Sequence, residues 1–229
     1  MVAPPDDGRT APGRLPSAET AVPNSTAAVT VERVADASLP CRYGEFRVLG
    51  FRGFTPGGEK ELVALQLGDL AAEGPAPLVR IHSQCLTGEI FGSERCDCGP
   101  QLDMAMRMIA EDGRGVLIYD PQEGRGIGIL NKLRAYELQD NGADTVEANE
   151  ALGFEADLRD YGLATAVLTD LGLRRVRFLS NNPDKVAALE RAGIQVEARV
   201  PCEPSAGDRA ASYLRTKKEK MGHLLGAES

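Results

Sequence analysis

The sequence has no run of about 18 apolar residues, so no transmembrane helix is expected. Its first stretch, MVAPPDDGRTAPGRLPSAETAVPNSTAA, lacks the apolar core that a secretory signal needs. Rich in proline, alanine and polar residues, residues 1–28 read as a disordered leader, and the folded part is expected to begin near Val29. Positive charge is short as well. The formal net charge is −8, which argues against a broad nucleic-acid surface, because such a surface needs a basic face. A small anion held by a local group of arginines remains compatible. Histidine is scarce, at two residues, and cysteine is odd in number, at five. Without a secretory signal, that odd count points to a reducing, cytoplasmic setting, where clustered thiols more often bind metal than pair as disulfides. Neither an internal repeat nor a P-loop nor a dinucleotide fingerprint is present.

What is there is an ordinary globular chain. With 229 residues, 42% apolar and 26% charged, it can bury a core and fits one generous domain or two small ones. From Thr30 to about His82, the runs TVERVADASL, GEFRVLGF, LVALQLGDL and PLVRIHS read as strands separated by glycine and proline. After Pro100, apolar Leu102, Met106, Ile109 and Ala110 recur at helical spacing, and Gly113 stops the helix. GVLIYD then reads as a buried strand, and ILNKLRAYELQDNG as a helix closed by Asn141-Gly142. A helix is expected over Leu158–Leu171 and a strand over RRVRFLS. Asn181-Asn182-Pro183 should cap a helix through DKVAALERAG, followed by a strand, IQVEARV, and a helical tail. The expected fold is α/β (α+β mixed): a mixed β-sheet with flanking helices, β-rich at first and then alternating β/α. One catalytic domain is expected over 29–229, with the order of the stretch after about Pro201 left open.

Three of the five cysteines fall in one window, CLTGEIFGSERCDCG. Cys85, Cys96 and Cys98 form C-x10-C-x-C, a spacing that lets thiolates converge on one zinc. Three protein ligands would leave a fourth position open, as catalytic zinc requires. A remote fourth ligand, His82 or Cys202, would instead close a structural site, and spacing alone leaves both readings standing. The H-x-E…P-C-x-x-C pattern of zinc nucleobase deaminases is absent. Cys41 and Cys202 read as ordinary thiols.

Three further motifs suit anions. QEGRGIG follows a strand and opens a helix, where backbone N–H groups can hold an anion, and Arg125 stands between two glycines. GFEADLRDYG sets Asp157 two residues before Arg159, which also fits a capping aspartate with a surface arginine. SNNPDK brings hydroxyl, amide and amine groups to the end of a strand, which fits a phosphate or a plain helix cap. His82 gains interest from its place before the first cysteine, and His223 lies in the amphipathic tail.

Taken together, RIHSQCLTGEIFGSERCDCGPQL, YDPQEGRGIGILNKLRAYELQDNGADTVEAN, LGFEADLRDYG, FLSNNPDK and TKKEKMGHLL resemble GTP cyclohydrolase II, from about Val31 to Leu225. The resemblance implies a homodimeric enzyme that opens the imidazole ring of GTP. It would release formate and pyrophosphate and leave a diaminopyrimidinone ribosylamino 5′-phosphate, the first step toward riboflavin. It implies that Cys85, Cys96 and Cys98 hold one Zn²⁺ per subunit, with Mg²⁺ on the triphosphate. Arg80, Ile81, His82, Ser83, Gln84, Gln101, Glu123, Gly124, Arg125, Thr145, Ser180 and Lys185 would contact GTP. Asp157 would be the proton acceptor, Arg159 the nucleophile and Tyr136 the active-site tyrosine. A stand-alone form is expected, because the chain has no room for the synthase domain to which family members can be fused.

The residue types suit that chemistry. C8 of guanine is a poor electrophile, and metal binding lowers the pKa of an attacking water toward neutrality. A guanidinium stays protonated, so Arg159 fits charge stabilisation as well as the nucleophile's role. Glu123 is a candidate acceptor for the guanine edge. The chain departs from the family in three places: Gln84 stands where glutamate is frequent, Asp120-Pro121 where a basic residue precedes Gln122, and Ser180 where threonine is usual. Retention of Tyr136 favours full processing. Two other readings remain: a specialised paralogue that keeps the formyl carbon or takes another purine nucleotide, and an idle zinc-stabilised nucleotide-binding protein.

Overall fold

The computed structural model describes residues 29–55, 57–204, 218, 222 and 224. The expected leader over 1–28 and nearly all of the expected tail helix, His223 included, lie outside the described residues. Seven strands form one sheet: β1 (Thr30–Cys41), β2 (Gly44–Thr55), β3 (Gly58–Leu67), β4 (Leu78–Ser83), β5 (Gly115–Asp120), β6 (Arg175–Leu179) and β7 (Gln195–Val200). Their order is β1-β2-β3-β5-β4-β6-β7. The pairs β1–β2, β2–β3 and β3–β5 are antiparallel, whereas β5–β4, β4–β6 and β6–β7 are parallel. The sheet is therefore mixed, as expected: a β-rich half followed by alternating β/α units.

Six helices accompany the sheet among the described residues: α1 (Leu86–Glu89), α2 (Cys98–Asp112), α3 (Gly128–Asp140), α4 (Thr145–Ala151), α5 (Gly162–Asp170) and α6 (Pro183–Arg191). None is long and apolar enough to cross a membrane. Side chains of successive strand residues point to opposite faces, and the core divides accordingly. Val79, Ile81, Val116, Ile118, Val176 and Phe178 pack with Leu163, Val167 and Leu168 of α5 and Leu189 of α6. On the other face, Leu78, Leu117 and Leu179 meet Ala105, Met106 and Ile109 of α2. Covered on both sides, β4 and β5 run almost wholly buried.

The helix ends follow local chemistry. Gly113 ends α2 with a left-handed φ of 75°, and its N–H reaches the carbonyls of Ile109 and Ala110. Asn182 caps α6 by accepting the Asp184 N–H at 2.8 Å, with Pro183 in the first turn. One expectation fails. The helix foreseen from Leu158 begins only at Gly162, because Asp157 accepts the Arg159 N–H at 3.1 Å and Asp160 that of Gly162 at 2.7 Å. Such side-chain turns compete with the helical ladder. Helix α4 was not foreseen, although DTVE carries its capping box. Asp144 accepts from the N–H groups of Val146 and Glu147, and the Glu147 carboxylate accepts from that of Asp144.

Candidate active site

Strands β4, β5 and β6 run parallel, so the loops leaving their carboxyl ends lie side by side, the usual place for a ligand in such a sheet. The loop after β4 carries Cys85, and the start of α2 carries Cys98. The Cys85 and Cys96 sulfurs lie 3.7 Å apart, and the three cysteine sulfurs fall within 4.8 Å of one another. A tetrahedral site with Zn–S bonds of about 2.3 Å has edges of about 3.8 Å, so the spacing fits zinc. Hydrogen bonds from Cys96 and Cys98, aided by the nearby Lys132 ammonium, hold the Cys85 thiol well below its ordinary value. Its bond to Cys85 pushes the Cys96 thiol up in turn.

Glycine makes room for this cluster. A Cβ on Gly88, the buried position of α1, would stand 2.8 Å from the Cys96 sulfur and 3.3 Å from that of Cys85. Gly88→Ala should therefore displace the ligands and lower zinc affinity roughly tenfold or more, as read by competition with a colorimetric chelator. Unaltered affinity would show that the sulfurs need no such clearance.

Neither remote residue closes the site. His82 Nε2 lies 2.9 Å from Glu89 Oε1, and its ring stacks beside Tyr119. Burial lowers the His82 pKa, so the ring is neutral and donates from Nε2. The same Glu89 oxygen accepts the Cys85 N–H at 2.7 Å, while Oε2 accepts the Tyr119 hydroxyl at 2.7 Å. Glu89 and His82 thus brace the Cys85 backbone from behind. Cys202 is buried in the α2 core, where its thiol donates to the Gln101 carbonyl. Among the described residues, the candidate metal cluster comprises Cys85, Cys96 and Cys98.

The sulfurs open onto a cavity of about 460 Å³. Of the residues singled out in the sequence, Ser83, Gln84, Glu123, Gly124, Arg125, Tyr136, Thr145 and Arg159 share its wall with the three cysteines. Arg125 follows Gly124 through two successive left-handed conformations, at φ 59° and φ 62°, within a 3₁₀ turn (Glu123–Gly126). Arg159 clasps Asp157 with two prongs: Nε lies 2.9 Å from Oδ1, and Nη2 bonds Oδ2. Burial works against the charge on Asp157, yet these bonds hold its carboxyl below the usual range.

Other singled-out residues stand behind the wall. Arg80 donates to the Leu179 carbonyl at 3.0 Å and to Gln101 at 2.6 Å. Ile81 is core. Lys185 donates to the Ile81 carbonyl at 2.9 Å and to Ser83 at 3.3 Å, and Ser180 accepts the Asn182 N–H. Burial, with Arg159 and Arg80 nearby, pushes the Lys185 pKa well down. Lys185 therefore sits as a buried donor behind Ser83, not as an open cation.

Two cations of the wall were not foreseen, Arg95 and Lys132. The Arg95 guanidinium lies 4.8 Å from the Tyr136 ring centre, and the Tyr136 hydroxyl is 3.1 Å from that of Thr87. Lys132 reaches both Glu123, at 2.6 Å, and the Cys85 sulfur, at 3.1 Å. Burial alone would lower the Lys132 pKa, but these two partners raise it, so the ammonium persists. Its spacing of four from Tyr136 on one helix is the signal that could have found it. Both oxygens of the Glu123 carboxylate are engaged, because Oε2 also accepts the Leu86 N–H at 2.7 Å. A guanine edge would have to compete with Lys132 for it.

Residues 32–201 match the family model described as GTP cyclohydrolase II. The chain is 53% identical over 195 residues to the riboflavin biosynthesis protein RibBA of Bacillus subtilis (strain 168), covering 85% of this chain and 48% of that protein. It is 56% identical over 197 residues to the protein of the same name from Salinispora tropica, covering 86% and 48%. It thus spans about half the length of these curated relatives. A solved two-domain 3,4-dihydroxy-2-butanone 4-phosphate synthase from A. baumannii aligns at a TM-score of 0.41 and 20% identity, covering 79% of this chain and 41% of that one.

Proposed function

The chain belongs to the GTP cyclohydrolase II family, and we propose that it opens the imidazole ring of GTP hydrolytically. The products are formate, pyrophosphate and 2,5-diamino-6-(5-phosphoribosylamino)pyrimidin-4(3H)-one. The observation that carries this reading is the three-sulfur cluster, set at zinc spacing on the wall of a cavity that also presents Arg125, Arg159 and Tyr136. In this reading Cys85, Cys96 and Cys98 hold one Zn²⁺, which when bound supplies electrophilic activation for hydrolysis at guanine C8. Arg125 and Arg159 face the triphosphate, whose remaining charge Mg²⁺ offsets. Asp157 fixes Arg159 in plane. A carboxylate held low by its own arginine is a weak base, so the pair serves better as an oriented cation than as an acceptor and nucleophile. Tyr136, whose hydroxyl meets that of Thr87 on the wall, serves the second hydrolysis in this reading, the step that removes the formyl group. Arg80, His82, Gln101, Ser180 and Lys185 act from behind by holding the loops.

The names of the relatives point to riboflavin supply as the destination of the product. A cytoplasmic homodimer belongs to the same proposal; sizing chromatography with light scattering would show the dimer. The deciding test is mass spectrometry of products from zinc-loaded protein with GTP and Mg²⁺. Formate, pyrophosphate and the diaminopyrimidinone monophosphate together support the proposal. Retention of the formyl carbon would replace it with the specialised paralogue, and absence of turnover on any purine triphosphate would replace it with a binding protein.

A further inference from the structure

Lys132 is joined to the cysteine cluster by a closed ring of contacts. Its Nζ donates to the Cys85 sulfur at 3.1 Å and to Glu123 Oε1 at 2.6 Å. Glu123 Oε2 accepts the N–H of Leu86 at 2.7 Å, and Leu86 is the residue bonded to Cys85. The ring therefore returns to its starting point, tying the loop after β4 to the loop after β5. Both charged side chains are shielded, Lys132 at 12% and Glu123 at 8% exposure. The backbone between them is shaped for this. Gly124 adopts φ 62°, and a Cβ there would stand 3.1 Å from the Lys132 Cβ, so glycine lets the lysine stem pass.

A site of three thiolates is rich in electron density, which blunts the electrophilic power of any metal it holds. An N–H donor on one sulfur draws that density back and fixes the direction of the sulfur lone pairs. We propose that Lys132, aimed by Glu123, is a positioning residue of the metal centre that tunes the Cys85 sulfur as a ligand. This rests on the reading that the three cysteines hold a metal. Glu123 accordingly acts through Lys132, not through the purine edge.

The test uses the full chain loaded with Co²⁺ in place of Zn²⁺, so that thiolate-to-metal charge transfer is visible in the absorption spectrum. A hydrogen bond stabilises the sulfur lone pair and raises the energy of that band. Lys132→Met should shift the band to longer wavelength and weaken zinc binding roughly 10–100-fold in chelator competition. Lys132→Arg, which keeps a donor, should return most of both. Glu123→Gln should give a smaller shift in the same direction, and it decides the matter if the methionine variant does not fold. Bands and affinity that stay at wild-type values in Lys132→Met and Glu123→Gln, whatever happens to turnover, would overturn the role of Lys132 and leave the three-cysteine site standing. A wild-type protein that shows no thiolate charge transfer with cobalt would sink the metal reading itself, and this inference with it.

Discussion

Cys96→Ser is expected to empty the protein of stoichiometric zinc and to cut GTP turnover by on the order of 10³-fold. Cys96 is buried, its sulfur lies 3.7 Å from that of Cys85, and a serine hydroxyl offers no thiolate to a cation at neutral pH. The loss should be all-or-none in metal content, because two remaining sulfurs do not make a zinc site. Atomic emission on the purified protein reads the metal, and formate release reads the activity. Cys41→Ser is the control: Cys41 ends β1, far from the cluster in sequence, and its thiol donates to the Gly44 carbonyl. That variant should keep both zinc and turnover. A Cys96→Ser protein still holding one zinc per chain would remove the cluster as the metal site.

The second large effect is expected at Arg159. Its fork meets the Asp157 carboxylate through two nitrogens, while Nη1 lies 3.4 Å from the Ser83 hydroxyl. Lysine supplies a point charge without that fork, so Arg159→Lys keeps the sign and loses the geometry. Turnover should fall about 10²–10³-fold, with the loss in kcat more than in KM if the arginine matches charge that develops on the phosphate. Steady-state kinetics with pyrophosphate detection decides this. An equal rise in KM with kcat unchanged would leave Arg159 a simple substrate anchor. The pair also has a pH signature. Asp157 titrates below its unfolded value, so its contribution to stability is fully present above about pH 4 and is lost only as pH falls through the lowered value. The response of melting temperature to Arg159→Lys should be largest near pH 7 and should shrink as the pH falls below about 4 and the carboxyl takes up its proton.

The sequence made much of the fold legible, because the strands alternate or run apolar and the helix ends carry Gly113 and Asn182-Pro183. Residues 158–161 misled because their apolar spacing is helical, while Asp157 and Asp160 bond the backbone first. The opposite error hid α4, where the capping box was present but the helix is short. Within the site, the cysteine spacing spoke directly to metal chemistry. The run from Arg80 to Gln84 did not, because a strand turns alternate side chains to opposite faces. Arg80 and His82 face α2 and α1, Ile81 enters the other core, and only Ser83 and Gln84 reach the cavity. Lys132 left only its spacing from Tyr136 as a trace: its bonded partners lie 9 and 47 positions away, and no local pattern records them.

Arg125 carries the last consequence. A left-handed φ of 59° costs a residue with a side chain about 1–2 kcal/mol, and glycine escapes most of that. A directed-evolution campaign that rewarded heat resistance alone would be drawn to this position early. It would gain degrees of melting temperature by discarding a guanidinium from the cavity wall. Survivors of such a screen should be durable and idle, so selection for a sturdier enzyme has to score catalysis in the same round.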